Sequence, residues 1–101
     1  MIARRWHGRV SRRKAERYRR FLADRAVPDY RAAPGNLAAF VFERDDGEVV
    51  HFETLTFWSD EASIRAFAGD PIETARYYRE DRDFLLEFEP TATHHAVVAR
   101  G

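Results

Sequence analysis

Thr54-Leu-Thr-Phe-Trp-Ser-Asp-Glu-Ala-Ser-Ile-Arg-Ala-Phe67 decides the fold, because it is a strand pattern that runs directly into a helix pattern. Its first five residues are β-branched, aromatic or apolar, which is typical of a buried strand. Ser59 then offers an N-cap oxygen, and acidic side chains from Asp60 onward suit the first helical turn. Ile64 and Phe67 follow at helical spacing. This short exit predicts a helix that folds back over a sheet.

Upstream of this corner the pattern gives a strand, a helix and a hairpin. Residues 2–10 predict the first strand, and a helix of about fifteen residues begins at Ser11 and ends before Pro28. Residues 37–44 and 49–58 predict the two strands of the hairpin.

Downstream of the corner, we expect a third helix to start at Asp70-Pro71, with a solvated charged run at 79–83. A closing strand is predicted within residues 91–100. The order β-α-β-β-α(α)-β predicts an α+β, ferredoxin-like split βαβ fold over residues 1–101. A four-stranded antiparallel sheet then carries helices on one face.

The hairpin strands carry apolar residues on both sides, so the uncovered face of the sheet also needs a partner. Phe40 and Phe42 lie on one side of their strand, with Leu37 and Val41 on the other. The simplest way to bury this face is to pack the sheet against the sheet of a second copy of the chain. We therefore expect a homodimer that forms a dimeric α/β barrel.

The charges of this chain are balanced overall but unevenly distributed. Residues 1–25 contain ten Arg and Lys against Glu16 and Asp24, and the remainder carries the opposite excess. A basic helix beside acidic surface explains this pattern. A nucleic-acid contact through the arginines of the first helix is the less favoured alternative.

Three further segments resemble one protein family. Phe57-Trp58-Ser59-x-Glu61-Ala62 with Phe67, Pro34-Gly35, and Glu89-Pro90-Thr91 with His94 are similar to the antibiotic biosynthesis monooxygenases. The resemblance implies dimeric α/β-barrel proteins, some of which oxidise aromatic polyketides without a cofactor, whereas others degrade haem.

The haem-degrading members use three residues that this chain lacks. They carry an Asn on the first strand, a Trp near the end of the helix that follows the third strand, and a His on the next helix. Here the first strand has no Asn, Phe67 replaces the Trp, and Arg76 falls at the position of the His. The resemblance therefore implies neither haem nor another cofactor for this chain.

Cofactor-free oxygenation requires a base, an anion-stabilising group and an apolar pocket, because the substrate supplies the electrons. His51 is the candidate base and shares its face with Glu53, which could orient it; alternatively, Glu53 pairs with an arginine of the first strand. His94 matches a residue of the family's closing strand, and Arg4 could stabilise an oxyanion. The predicted catalytic residues are thus His51, His94 and Arg4.

Four aromatic residues are predicted to bind the substrate. They are Trp6, Phe67, Tyr77 and Tyr78, the last two on the expected third helix. Each has a plainer alternative, in which it only packs the core or an interface. His94 and His95 are adjacent on a strand and point to opposite faces, so they do not form a metal site together.

Several functional classes lack their motifs. The chain has no cysteine, phosphate loop, zinc-protease motif or nucleophile elbow, and no metal site is predicted. No apolar run resembles a signal peptide or a membrane span, so a cytoplasmic protein is expected. The prediction is a small dimeric protein that oxygenates an aromatic or enolic compound. The alternative is a non-enzymatic ligand-binding or structural dimer.

Overall fold

A computed structural model describes all residues from Met1 to Gly101. The sheet strands are β1 (Ile2–Ser11), β2 (Asn36–Asp46), β3 (Val49–Trp58) and β4 (Thr93–Ala96). The helix α1 covers residues 12–32, α2 is Glu61–Ala68, and a 3₁₀ helix spans Arg79–Asp83. No helix is long and apolar enough to cross a membrane.

The strands form one antiparallel sheet in the order β2-β3-β1-β4. This is the predicted ferredoxin-like α+β fold, with the helices on one face. β1 lies at the centre and pairs with β3 over its whole length, so that Trp6 lies opposite Thr54 and His7 opposite Glu53.

The side chains of β1 and β3 divide by alternation into a covered and an open face. The covered face packs against α1, where a core forms around Tyr18, Leu22, Phe52 and Val10. A smaller cluster of Trp58, Ile64 and Ile72 lies under α2. The open face has no helix over it.

The open face is apolar at one end. Leu37, Phe40 and Phe42 of β2 remain 49, 50 and 47 % exposed. A groove of about 520 Å³ runs between Met1, β2, Phe57 and the residues after β4. Val41, on the other side of β2, packs against the core, so both sides of this strand carry apolar residues as expected. Leu37 was expected on the side of Val41 but lines the groove with Phe40, because the register of β2 shifts between Asn36 and Ala38.

The prediction that the first helix ends before Pro28 is wrong. The helix continues to Ala32 because a wide π turn, Leu22–Ala26, precedes the proline. In this turn the N–H of Val27 donates to the carbonyl of Leu22, five residues earlier. The wider spacing accommodates a ring that would otherwise clash with the preceding turn.

The strand-to-helix corner is formed as predicted, but its cap is Asp60 and not Ser59. The Asp60 carboxylate accepts hydrogen bonds from the backbone and hydroxyl of Ser63, at 2.8 and 2.7 Å. Ser59 instead donates its N–H to the carbonyl of Gly35. Gly35 has a φ of +87°, and a Cβ there would lie 2.0 Å from Ser63 Oγ. The corner therefore requires glycine at this position.

The predicted third helix does not form. Residues 69–78 are irregular, and Thr74 pairs with Thr91 beside β4. Arg4 donates to the carbonyls of Ile72 and Thr74 at 2.5 and 3.0 Å, so a side chain from β1 takes the acceptors that a helix would use internally. A long-range contact overrides the weak local preference for a helix.

Candidate functional site

A narrow cleft lies between the covered face of the sheet and the helices. Its volume is about 20 Å³, close to that of one water molecule. Aromatic rings form most of its wall, together with one carboxylate and one guanidinium. The lining residues are Trp6, Tyr18, Leu22, Ala26, Tyr30, Thr54, Arg76, Tyr77, Tyr78 and Asp81.

Three of the four predicted substrate-binding residues meet in this cleft. Trp6 donates its Nε1–H to the hydroxyl of Tyr77 at 3.1 Å, and the two rings meet edge to face. The Tyr77 hydroxyl donates in turn to the carbonyl of Glu89. Tyr78 lies at the rim, where its hydroxyl donates to Asp29 at 2.6 Å. Burial raises the pKa of the Tyr77 and Tyr78 hydroxyls, so both are proton donors at neutral pH.

Asp81 is the carboxylate of the cleft, and the sequence analysis missed it. The side chain accepts from the Tyr18 hydroxyl at 3.0 Å and from the Tyr78 N–H at 2.6 Å. Only 4 % of the residue is exposed, so the prediction that the run 79–83 is solvated is wrong here. Burial raises the pKa of Asp81 above its usual range, which makes the carboxylate a stronger base once it is ionised.

Two further tyrosines complete the wall. Burial raises the pKa of Tyr18, and the neighbouring carboxylate of Asp81 adds to the effect. Burial likewise raises the pKa of Tyr30, which contacts Thr54 at 3.4 Å. Tyr18 lies on the apolar face of the first helix. The only feature of the sequence that could have indicated a role in the cleft is that this core position carries a hydroxyl group.

Arg4 and His94 lie together on the covered face. Arg4 Nη1 lies 3.0 Å from His94 Nε2, in addition to its two carbonyl contacts with the irregular segment. Burial lowers the pKa of His94 and the Arg4 charge lowers it further, so the imidazole is neutral and accepts this bond. The two bonds from Arg4 to the carbonyls of Ile72 and Thr74 hold residues 72–74 against the sheet.

Phe67 lies next to the cleft in a separate surface groove of about 360 Å³. Its ring packs against Trp58 and Tyr30. The Arg76 guanidinium lies 4.5 Å from the centre of the Phe67 ring and donates to the Phe67 carbonyl at 3.0 Å. Arg76 therefore lines both cavities.

His51 lies on the open face, away from Trp6 and the cleft. It contacts His7 at 2.8 Å and Asp46 at 3.0 Å. Glu53 does not orient it, because Glu53 accepts from Arg5 at 2.7 Å. The alternative pairing of Glu53 with an arginine of the first strand is therefore the one observed.

The arginines of α1 mostly have acidic partners. Arg12 pairs with Asp45, Arg19 with Glu43, Arg20 with Glu16 and Arg25 with Glu80. The structure thus places the basic helix beside acidic surface, as expected. These pairs partner four of the seven arginines of α1.

Solved structures of several bacterial proteins superimpose on this chain over almost its whole length. A provisionally named antibiotic biosynthesis monooxygenase from Nitrosomonas europaea has a TM-score of 0.70 at 14 % identity, with 98 % of this chain and 100 % of that chain covered. The haem-degrading protein MhuD of Mycobacterium tuberculosis, solved with two haems in its active site, has a TM-score of 0.69 at 15 % identity. That alignment covers 100 % of this chain and 99 % of MhuD.

The chain has the antibiotic biosynthesis monooxygenase fold. The predicted resemblance is thereby confirmed at the level of the fold. A third structure, protein NE2512 of unknown function from Nitrosomonas europaea, is 19 % identical at a TM-score of 0.69 and covers 99 % of this chain and 91 % of its own. No protein-family model and no curated protein matches the sequence.

The residues of this chain do not fit haem. The cation of Arg76 lines the cleft. By the resemblance, Arg76 falls where the haem-degrading members carry a His, and a guanidinium has no free lone pair for a metal.

Proposed function

We propose that this protein is a cofactor-independent monooxygenase that acts on a small aromatic or enolic compound bound in the cleft. The observation that carries the proposal is the buried Asp81 carboxylate within a wall of aromatic rings. Phenols and enols need a base of this kind, and Trp6 and the tyrosines offer aromatic faces against which a flat ring would pack once the cleft has widened. The absence of cysteine is compatible with action in the cytoplasm.

In the proposed reaction the substrate supplies all the electrons. Asp81 removes a proton from an enolisable CH₂ group, and the resulting carbanion reduces O₂ and forms a carbon–oxygen bond. Loss of water from the hydroperoxide converts the CH₂ group to a carbonyl. One oxygen atom of O₂ stays in the product and the other leaves as water, so no external reductant is needed.

The tyrosine hydroxyls serve as proton donors in this scheme. Tyr77 and Tyr18 are neutral at physiological pH and line the cleft. In the proposed reaction each turns its hydroxyl hydrogen from its present acceptor, the Glu89 carbonyl or the Asp81 carboxylate, toward the substrate. A hydroxyl that donates to the developing oxyanion stabilises it most strongly in a water-poor site. Arg4 acts indirectly through its hydrogen bonds to the carbonyls of Ile72 and Thr74, and His94 acts indirectly through its contact with Arg4.

Substrate entry requires the cleft to widen. Residues 69–78 form one wall and lack regular structure, whereas the opposite wall is the central sheet. The irregular segment contacts the sheet through Arg4 and the Thr74–Thr91 bridge. We propose that outward movement of this segment, which carries Tyr77 and Tyr78, admits the substrate.

We also propose that the protein is a homodimer that packs through the open face. The exposed side chains of Leu37, Phe40 and Phe42 and the adjoining groove support this arrangement. Sedimentation velocity at micromolar concentration gives the mass directly. Phe40→Glu should produce monomer, whereas Leu86→Glu, an exposed apolar position outside the groove, should not. A monomeric wild type contradicts the proposal.

A thermal-shift screen of phenols, quinols, anthrone-type compounds and haem, followed by oxygen consumption with each hit, tests the activity. A ligand at 100 times its dissociation constant adds about 2.7 kcal/mol to the free energy of unfolding. Asp81→Asn should abolish oxygen uptake and retain ligand binding. Asp83→Asn, an exposed position in the same 3₁₀ helix, is the matched control.

A non-enzymatic dimer is the second candidate. The small cleft favours it, together with the fact that every buried side-chain polar atom has a partner. Oxygen uptake that is unchanged in Asp81→Asn overturns the assignment of the base. A dimer that binds no compound in the screen supports the structural alternative.

A further inference from the structure

Four side chains on the open face form one continuous hydrogen-bonded row. His7 Nδ1 lies 2.5 Å from the Glu89 carboxylate, and His7 Nε2 lies 2.8 Å from His51 Nδ1. His51 Nε2 lies 3.0 Å from the Asp46 carboxylate. The row joins β1, β3, the end of β2 and the segment before β4.

The two imidazoles meet edge to edge. Their ring centres are 5.1 Å apart, and the planes differ by 28°. The centre-to-centre distance exceeds the 2.8 Å between His7 Nε2 and His51 Nδ1 by about the two ring radii, so the nitrogens point at one another. This is the geometry of a hydrogen bond in the ring plane and not of stacked faces.

The row needs three protons to form its three hydrogen bonds. Each gap joins two atoms that both have lone pairs, so each must contain one proton. Two ionised carboxylates supply none, and two neutral imidazoles supply one each. With both histidines neutral, one of the three gaps would bring two lone pairs together.

The charges around the row also favour an additional proton. Arg5 and Arg9 of β1 and Arg44 of β2 are the neighbouring cations, the last facing His51 across the strands. The carboxylates are Glu53 of β3, Glu87 before β4, and the two that end the row. Three cations face four anions, so one imidazolium balances the group.

We propose that His7 and His51 together bind one proton more than two neutral imidazoles at neutral pH, which makes Glu89–His7–His51–Asp46 a single proton-binding site. The additional proton is shared along the row. Loss of this proton breaks one of the three bonds. Gain of a further proton breaks the central bond, because His7 and His51 would then both present N–H groups.

The site connects to the cleft through Glu89. Its carboxylate receives the bond from His7, while its backbone carbonyl receives the hydroxyl of Tyr77 on the other side of the sheet. The three-proton state therefore holds Glu89 in place beneath a cleft residue. This makes the proton-binding site a pH-sensitive support of the cleft, whether or not the cleft is catalytic.

The number of protonated ring nitrogens can be counted by ¹⁵N NMR of the histidine side chains. At about pH 7.5, one unit above the usual histidine pKa of about 6.5, the proposal gives three protonated nitrogens among the four of His7 and His51. Two independent neutral rings would give two of four, and this result overturns the proposal. His95, which contacts only Thr93, is the reference ring in the same spectrum.

Two isosteric variants distinguish the effect of the hydrogen bonds within the row from the effect of the charges around it. In Glu89→Gln the amide N–H can fill the gap to His7, so the histidines should carry only two protons. Glu87→Gln removes an equal charge nearby but leaves the row intact, because Glu87 pairs with Arg9. Three protons in Glu87→Gln and two in Glu89→Gln support the proposal, whereas an equal count in both variants contradicts it.

The proposed support of the cleft by Glu89 can be tested separately, by amide hydrogen exchange as a function of pH. The amides to follow are those of Leu86 and Ala75, which donate to the carbonyls of Arg9 and Pro90 on either side of Glu89. Their protection factors should fall by about fivefold on either side of the three-proton range, as expected for one lost hydrogen bond. In His7→Gln these protection factors should not vary with pH in this way. A protection factor that stays constant in the wild type contradicts the supporting role.

Discussion

Tyr77 donates its hydroxyl hydrogen to the backbone carbonyl of Glu89, whose carboxylate lies on the opposite face of the sheet. One residue thus joins the aromatic cleft to the histidine row. The Tyr77 hydroxyl also joins the irregular segment to β1, since Trp6 donates to it. The wall of the cleft is built by side-chain contacts from the sheet, not by helical hydrogen bonds.

Tyr77→Phe should lower the free energy of unfolding by about 1–3 kcal/mol, because the Glu89 carbonyl and the Trp6 N–H both lose their partner. Urea denaturation measures the change. Tyr78→Phe is the control, since its hydroxyl bonds to exposed Asp29 and water can replace it. Equal losses in the two variants would show that the Tyr77 hydroxyl does not support the wall.

Arg4→Met should destabilise the protein by about 2–3 kcal/mol and should speed hydrogen exchange in residues 71–75. The guanidinium is 5 % exposed and has three partners, two of them carbonyls of the irregular segment. Arg5→Met, the exposed neighbour on the same strand, should leave exchange in this segment unchanged. Faster exchange at 71–75 in both variants would contradict a specific anchor.

The prediction of the fold succeeded where local pattern and tertiary packing agree. The run from Thr54 to Phe67 is strand and then helix in the structure, and β1 and β3 have their predicted bounds within a residue or so. The prediction failed for residues 70–78, because Arg4 donates hydrogen bonds to two backbone carbonyls that lie about seventy positions away in the sequence. A long-range hydrogen bond of this kind produces no periodic pattern in the sequence.

The candidate site was harder to predict for a similar reason. Asp81 is part of Arg79-Glu-Asp-Arg-Asp83, and a run made only of charged residues predicts exposure to solvent. Its burial arises only because the 3₁₀ helix brings it against Tyr18 of α1. Trp6 and Tyr77 were predicted to line a pocket because large aromatic side chains are usually buried. In the sequence alone, an aspartate that becomes buried cannot be distinguished from one that stays exposed.

Asp81 should make the free energy of unfolding fall as the pH rises. Burial raises its pKa in the folded protein, so between the ordinary value of about 3.9 and the folded value the native state binds more protons than the unfolded state. The stabilisation from protonated Asp81 is fully present at low pH and is lost as the pH rises through the pKa that Asp81 has in the folded protein.

The measurement is urea unfolding of wild type and Asp81→Asn across the acidic range. Surface acids such as Glu43 and Glu87, whose pKa values are lowered by arginine partners, act in the opposite sense, but they are common to both proteins. The wild type should therefore lose stability relative to the variant with rising pH. A constant difference would show that the Asp81 pKa is not raised.

Gly35→Ala should destabilise the protein more than Gly47→Ala. Both glycines have positive φ, +87° and +68°, so each substitution incurs the left-handed strain of about 1–2 kcal/mol. Only at Gly35 does the new Cβ meet another group, Ser63 Oγ at 2.0 Å, whereas nothing lies within 4 Å at Gly47. Thermal unfolding of both variants isolates the clash, and Ser63→Gly combined with Gly35→Ala should recover part of the loss. Equal stability of the two single variants would mean that the corner between β2 and α2 can move apart without cost.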